Sequence, residues 1–173
     1  MKTVLRITDR LLEAIHTDLR RPHPFAGERV GFLTCGVANL ANGGLGLYGA
    51  TYHPVADDDY EDDPRAAAML GSGAFRKMLQ KIYAKPASVL HVHRHDHYGR
   101  PGPSITDQRE SRRFIPSFWN VCPSHPHGTL ILSFDDVWGA LWIKPEQPIA
   151  ELDACAIVGD RTRPYGVLND QPR

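Results

Sequence analysis

Four of the nine histidines in this 173-residue chain fall within seven residues, at His91, His93, His95 and His97. They belong to a longer run, VLHVHRHDHYGRPGPSITD, from Val89 to Asp107. An apolar lead-in, Ala87 to Leu90, marks the run as a buried strand that ends in potential ligands. Residues i and i+2 of a strand point to the same face, so two imidazoles of a His-x-His pair can reach one metal ion. Gly99 to Pro103 turn the chain back, and Asp107 then supplies a third, oxygen ligand. Three protein ligands leave a fourth position for water, which is the pattern of a catalytic zinc site and not of a closed structural one.

Each of these residues also has a plainer role. Ser104-x-x-Asp107 is a helix N-terminal signature, a serine cap with an acid in the first turn. The two roles are compatible, since a cap can place Asp107 beside a metal. His97 reads as a residue around the site or as an exposed side chain. His125 and His127, in SHPHG, read as a proline-flanked loop. Trp138 and Trp142 read as packing on a hairpin face. Cys35 lies in an apolar stretch and reads as a small core residue and not as a nucleophile.

The elements that must hold these residues follow from periodicity and turn chemistry. Asp9 to Leu19 is expected as an amphipathic helix with Leu11, Leu12, Ile15 and Leu19 on one face and Thr8 as N-cap. Arg20 to Gly27 is a loop, and Glu28 opens an apolar strand, ERVGFLTCGVANL. A glycine-rich turn, Ala41 to Gly46, leads to a second strand, Leu47 to Val55, as a hairpin. Asp57 to Asp63, DDDYEDD, is expected as a solvated loop; it lacks the alternating ligands and glycine of a calcium loop. A helix from Gly71 to Ala84 packs Phe75, Met78, Leu79 and Tyr83, and the histidine strand follows. A further helix is expected from Ser104 to Phe114, with Phe118 and Trp119 in the loop around Cys122 to Gly128. Thr129–Phe134 and Val137–Ile143 form a hairpin across Asp135 and Asp136. Ile149 to Val158 is a last strand, and Gly159 to Arg173 a loose polar tail.

The bulk properties bound the function. Length favours one domain, residues 1–173, with a core over about 8–158. Lys+Arg and Asp+Glu are equal at 20 each, which points away from nucleic acid and from anionic membrane as partners. No apolar run reaches the roughly 18 residues of a membrane span. The first residues lack the apolar stretch of a signal peptide. Cys35, Cys122 and Cys155 are far apart and read as reduced thiols in a cytoplasmic protein.

An early strand-start glutamate, a later His-x-His and a nearby Ser-x-x-Asp together resemble the JAMM motif of the MPN/JAB zinc isopeptidases. The matching residues are Glu28, His93, His95, Ser104 and Asp107. The order of elements is similar too, over roughly residues 8 to 145, and most similar to the bacterial JAB-domain, deubiquitinase-like branch. Asp96 stands where the family has a proline after the second histidine, and the gap from His95 to Ser104 is one residue longer than is common. The rival pair His91/His93 would make that gap three residues longer than is common. The resemblance implies an α/β (α+β) fold of the JAB/MPN, cytidine-deaminase-like kind, with a mixed curved β-sheet flanked by helices. It implies Zn2+ held by His93, His95 and Asp107, with iron or manganese as possible replacements. It implies Glu28 as the proton carrier and Ser104 as a donor to the oxyanion, a contact worth about 2.7–4 kcal/mol. The implied substrate is an isopeptide or peptide bond after the C-terminal tail of a ubiquitin-like protein, with a ThiF/E1-like activating enzyme as a further partner. A non-catalytic JAB-like scaffold for such partners is the alternative; the presence of all five motif residues argues against it. Metallo-β-lactamase-like and cupin patterns fit less well, since HVHRHDH misses the first and no glutamate lies between His95 and Asp107 for the second.

Overall fold

The computed structural model describes residues 1–41, 43–63 and 67–166. The chain opens with β1 (Thr3–Thr8) and α1 (Asp9–Leu19), followed by the long hairpin β2 (Val30–Asn39) and β3 (Leu45–Pro54). A 3-10 turn at Asp57–Asp59 leads into the small ribbon β4 (Tyr60–Glu61) and β5 (Met69–Leu70). Then come α2 (Ser72–Ala84), β6 (Ser88–Arg94) and α3 (Ile105–Val121). The remaining strands are β7 (His127–Leu132), β8 (Val137–Trp142), β9 (Ala150–Glu151), β10 (Ala154–Val158) and β11 (Thr162–Pro164).

Nine strands form one mixed sheet in the order β11-β10-β1-β3-β2-β6-β7-β8-β9. β1 runs parallel to β10 and β3, β6 runs parallel to β7, and the other pairs are antiparallel. The sheet is strongly curled. Only Leu152 and Asp153 separate the end strand β9 from β10, near the opposite edge of the sheet. Their backbone N–H groups donate to Gly139 O on β8 and Thr3 O on β1, at 2.9 and 3.0 Å. The class is therefore α+β, a curved mixed sheet flanked by three helices.

Period-2 alternation divides the core between the two faces. On one face α1 buries Leu12, Ile15 and Leu19 against Leu33, Leu47, Leu90 and Val92. On the other, α2 and α3 bury Met78, Ile82, Phe114, Ile115 and Phe118 against Phe32 and Val89. β6 thus sends Leu90 and Val92 toward α1. Val89, His91 and His93 go toward α2 and α3.

Several expectations need correction. β1 was not foreseen; it lies inside the sheet, and its partners are remote in sequence. The single strand expected over Ile149–Val158 is two, β9 and β10, because the curl carries the chain across at Leu152 and Asp153. The helix expected to stop at Phe114 runs to Val121, so Phe118 and Trp119 are helical and not in a loop. It passes through Pro116, whose cost is offset by burial of Phe114, Ile115 and Phe118. The acidic run is no simple solvated loop: Tyr60 is buried, Asp57 pairs with Arg29, and Asp59 pairs with Lys77. In the expected loose tail, β11 pairs with β10 and the Tyr165 hydroxyl meets His16 Nε2 at 2.9 Å. Residues 167–173 of that tail lie outside the described residues.

Candidate metal centre

Three elements converge at one end of β6. β2 pairs with β6 so that Phe32 lies opposite His91 and Val30 opposite His93. Glu28 sits two residues ahead of Val30, just before the strand proper. His95 follows the last residue of β6, and its backbone N–H donates to Leu132 O at 2.8 Å, which extends the pairing with β7. α3 then brings its first turn over the strand end. Ser104 caps it: the Asp107 N–H donates to Ser104 Oγ at 3.1 Å, and the Ser104 N–H donates to Asp107 Oδ2 at 2.7 Å. This reciprocal capping box fixes the Asp107 carboxylate beside the histidines.

His93, His95 and Asp107 each offer a ligand atom, all within 4.8 Å of one another, and could hold a metal ion. His93 Nε2 is 3.4 Å from Asp107 Oδ1, and His95 Nε2 is 3.7 Å from Asp107 Oδ2. A tetrahedral zinc with bonds of about 2.1 Å separates its ligand atoms by about 3.4 Å. His93 is 2 % exposed, yet neither of its ring nitrogens has a hydrogen-bond partner among the described residues. Buried polar atoms are rarely left so, and a cation between His93 and Asp107 would satisfy one of them. His95 keeps part of its surface, so the group opens to solvent on one side.

The electrostatics agree with this placement. Burial would raise the Asp107 pKa, but the His93 ring and the Ser104 contacts hold it well below the usual carboxylate range. The Glu28 pKa is raised, first by burial and further by Asp107 and Asp96, while His93 opposes the rise. Glu28 is thus half-buried and within electrostatic reach of two of the three candidate ligands. The His95 pKa is lowered, by burial first and then by His93.

His91 does not join the group. It lies one strand step deeper, with its ring 4.9 Å from Phe114 and 5.7 Å from Phe32. Burial pushes its pKa down to about 3. The His97 ring nitrogen Nδ1 meets Tyr98 O at 2.8 Å, in an exposed loop. His127 opens β7, fully buried: Nδ1 accepts from the Val89 N–H and Nε2 donates to Cys122 O. His125 Nδ1 is 3.2 Å from Cys122 Sγ. Cys35 is buried in the core, and burial raises its thiol pKa. Trp138 and Trp142 are partly buried on β8, and Trp142 packs against the α2/α3 core.

Beside Glu28 lies a groove of about 420 Å³ that sequence reasoning did not anticipate. Arg20, Arg21, His23, Arg29, Arg94 and Asp96 line it with Glu28. Arg29 anchors its wall: the buried guanidinium donates to Arg21 O, Pro22 O and Asp57 Oδ1 at 2.8, 2.7 and 2.7 Å. The only sequence signal was the cluster RRPHP just ahead of Glu28.

No family model matches the chain, and no curated protein matches it. Among solved structures, the Trichoplax adhaerens STIL N-terminal domain aligns over 79 % of this chain at 9 % identity, with a TM-score of 0.34. The chain spans 41 % of the length of that structure. A likeness this slight transfers neither fold nor function.

Proposed function

We propose that this chain is a zinc-dependent hydrolase of amide bonds, a JAMM-type peptidase or isopeptidase on a JAB/MPN-like domain. The observation that carries the reading is the His93–His95–Asp107 group, with a buried imidazole left unbonded beside a carboxylate already fixed by a helix cap. When bound, zinc supplies a Lewis acid that polarises the scissile carbonyl and lowers the pKa of water. His93, His95 and Asp107 hold it. Glu28, whose raised pKa suits proton transfer nearer neutrality, takes a proton from the attacking water and delivers it to the leaving amine. Ser104 presents its hydroxyl at the start of α3 as a donor to the developing oxyanion. The substrate is a peptide or isopeptide bond after the tail of a ubiquitin-like protein, with a ThiF/E1-like enzyme as the activating partner.

The test is metal content of the purified protein beside two variants. About one zinc per chain is expected, lost in His95→Ala and kept in His91→Ala. Loss in His91→Ala alone would move the site one step down β6. No metal in the wild type, even after zinc is added, sinks the hydrolase. Glu28→Gln should keep zinc and lose cleavage by about 10²-fold or more. A protein that holds zinc and cleaves neither ubiquitin-like conjugates nor peptides is instead a JAB-like scaffold.

A further inference from the structure

We infer that the groove beside Glu28 is a substrate subsite that takes a carboxylate on Arg20. The inference rests on the metallopeptidase reading for the chemistry at Glu28. The groove lies where the end of α1 and the loop after it meet the end of β6, and its volume of about 420 Å³ is in the range of ligand clefts. His93, His95 and Asp107 do not line it, so it extends the site and does not duplicate it.

Its charges pair off with two exceptions. Arg21 is bonded to Asp18, Arg29 to Asp57 at 2.7 Å, and Arg94 to Asp96 at 2.7 Å. Arg20 and Glu28 remain. Among the described residues no carboxylate lies within ion-pair distance of the exposed Arg20 guanidinium. A cation at a helix C-terminus is ordinary, and the Arg20 backbone does close α1 by donating to His16 O at 3.1 Å. Arg20 also stands in the wall of the cleft that Glu28 lines. The remaining cations of that wall are already neutralised. A bound segment therefore meets one free guanidinium in a cleft that it shares with Glu28, and a carboxylate is the group that a guanidinium selects. The wall is firm. His23 Nδ1 accepts the Ala26 N–H at 3.0 Å, and its ring lies 4.4 Å from that of Tyr60, tilted by 48°. Tyr60 in turn accepts the Val30 N–H at 2.7 Å. The carboxylate is an acidic side chain or a free C-terminus of the substrate.

The experiment uses the zinc-loaded full chain and fluorescent glycine-rich hexapeptides. One pair carries a single Glu or Gln; the other is a free acid or a C-terminal amide. Each is titrated against wild type and Arg20→Gln. We expect the acidic member of one pair to bind about tenfold tighter, the gain of one charge-assisted hydrogen bond. The preference should shrink with added salt and vanish in Arg20→Gln, with zinc content and thermal midpoint unchanged. Which pair shows it tells an acidic side chain from a C-terminus. Equal binding within both pairs, no binding at all, or a preference that survives Arg20→Gln overturns the subsite. Zinc content reads the metal centre separately. Bound zinc without a carboxylate preference sinks only the subsite, and the preference without zinc sinks only the metallopeptidase.

Discussion

Asp107 has two tasks at once. Its Oδ2 accepts the Ser104 N–H while its Oδ1 faces His93, so the helix cap and the candidate ligand set share one carboxylate. The pairing separates what Ser104 does from what it supports. Ser104→Ala should cost about 1 kcal/mol of stability through the lost cap. On the proposed mechanism it should also lower kcat/KM by about 10²-fold through the lost oxyanion donor. Urea unfolding and peptide cleavage measure the two effects independently. A stability loss with full cleavage would leave Ser104 a cap alone. The spacing of His93, His95, Ser104 and Asp107 was legible because it depends on neighbours a few residues away: strand alternation and the first turn of a helix. Why His91 is excluded was not legible, since both pairs have the same spacing. His91 packs between the aromatic rings of Phe32 and Phe114, and α3 brings Phe114 there.

At the level of elements, α3 is what closes the site over β6. Its first turn carries Asp107, and its middle is fixed by Phe114, Ile115 and Phe118 in the core. Pro116 costs the helix a hydrogen bond, at about 3 kcal/mol. The helix tolerates it because three large apolar side chains around it are buried. Phe118 is fully buried, with ring contacts to Phe32, Phe114 and His127 at 6.1, 5.9 and 5.5 Å. Phe118→Ala should destabilise the fold by about 3–5 kcal/mol, read as a lower urea midpoint. On the proposed reading zinc affinity should weaken with it, because Asp107 loses its fixed position. An unchanged affinity in the folded variant would mean that the cap alone places Asp107. Periodicity located α1 and α2 nearly to the residue, but it put Tyr83 on the packed face of α2, where that side chain is in fact exposed. It did not carry α3 beyond Phe114, since a local pattern does not reveal which helix positions tertiary packing will reward.

For the whole molecule, stability should depend on pH through buried histidines, His16 and His127 among them. Burial pushes His127 down to about 4, and burial with Arg20 and Arg94 does the same to His16. Both rings fold neutral and gain protons more readily when unfolded, at an ordinary pKa of about 6.5. The unfolded state therefore binds more protons between those values, and stability rises with pH there. The full contribution is present above about 6.5 and is lost as pH falls through about 4. Urea midpoints of metal-free protein should hold steady from pH 8 to 7 and drop between pH 6 and 4. His16→Gln should flatten that drop; an identical profile would exclude His16. The division between sequence and structure is the same at this scale. By itself the sequence determined α1 and its Thr8 cap, the β2–β3 and β7–β8 hairpins, the histidine strand and the α3 capping box, because each rests on contacts within one element or across one turn. Only the tertiary structure decided the place of β1 inside the sheet, the split of the stretch after Ile149 and the tie from Tyr165 to His16. It also decided the pairing of Arg29 with Asp57 and the groove at Glu28. These depend on curl and on partners 150 residues apart, such as Thr3 Oγ1 and Asp153 Oδ2 at 3.0 Å, and no local spacing encodes which distant surfaces will meet.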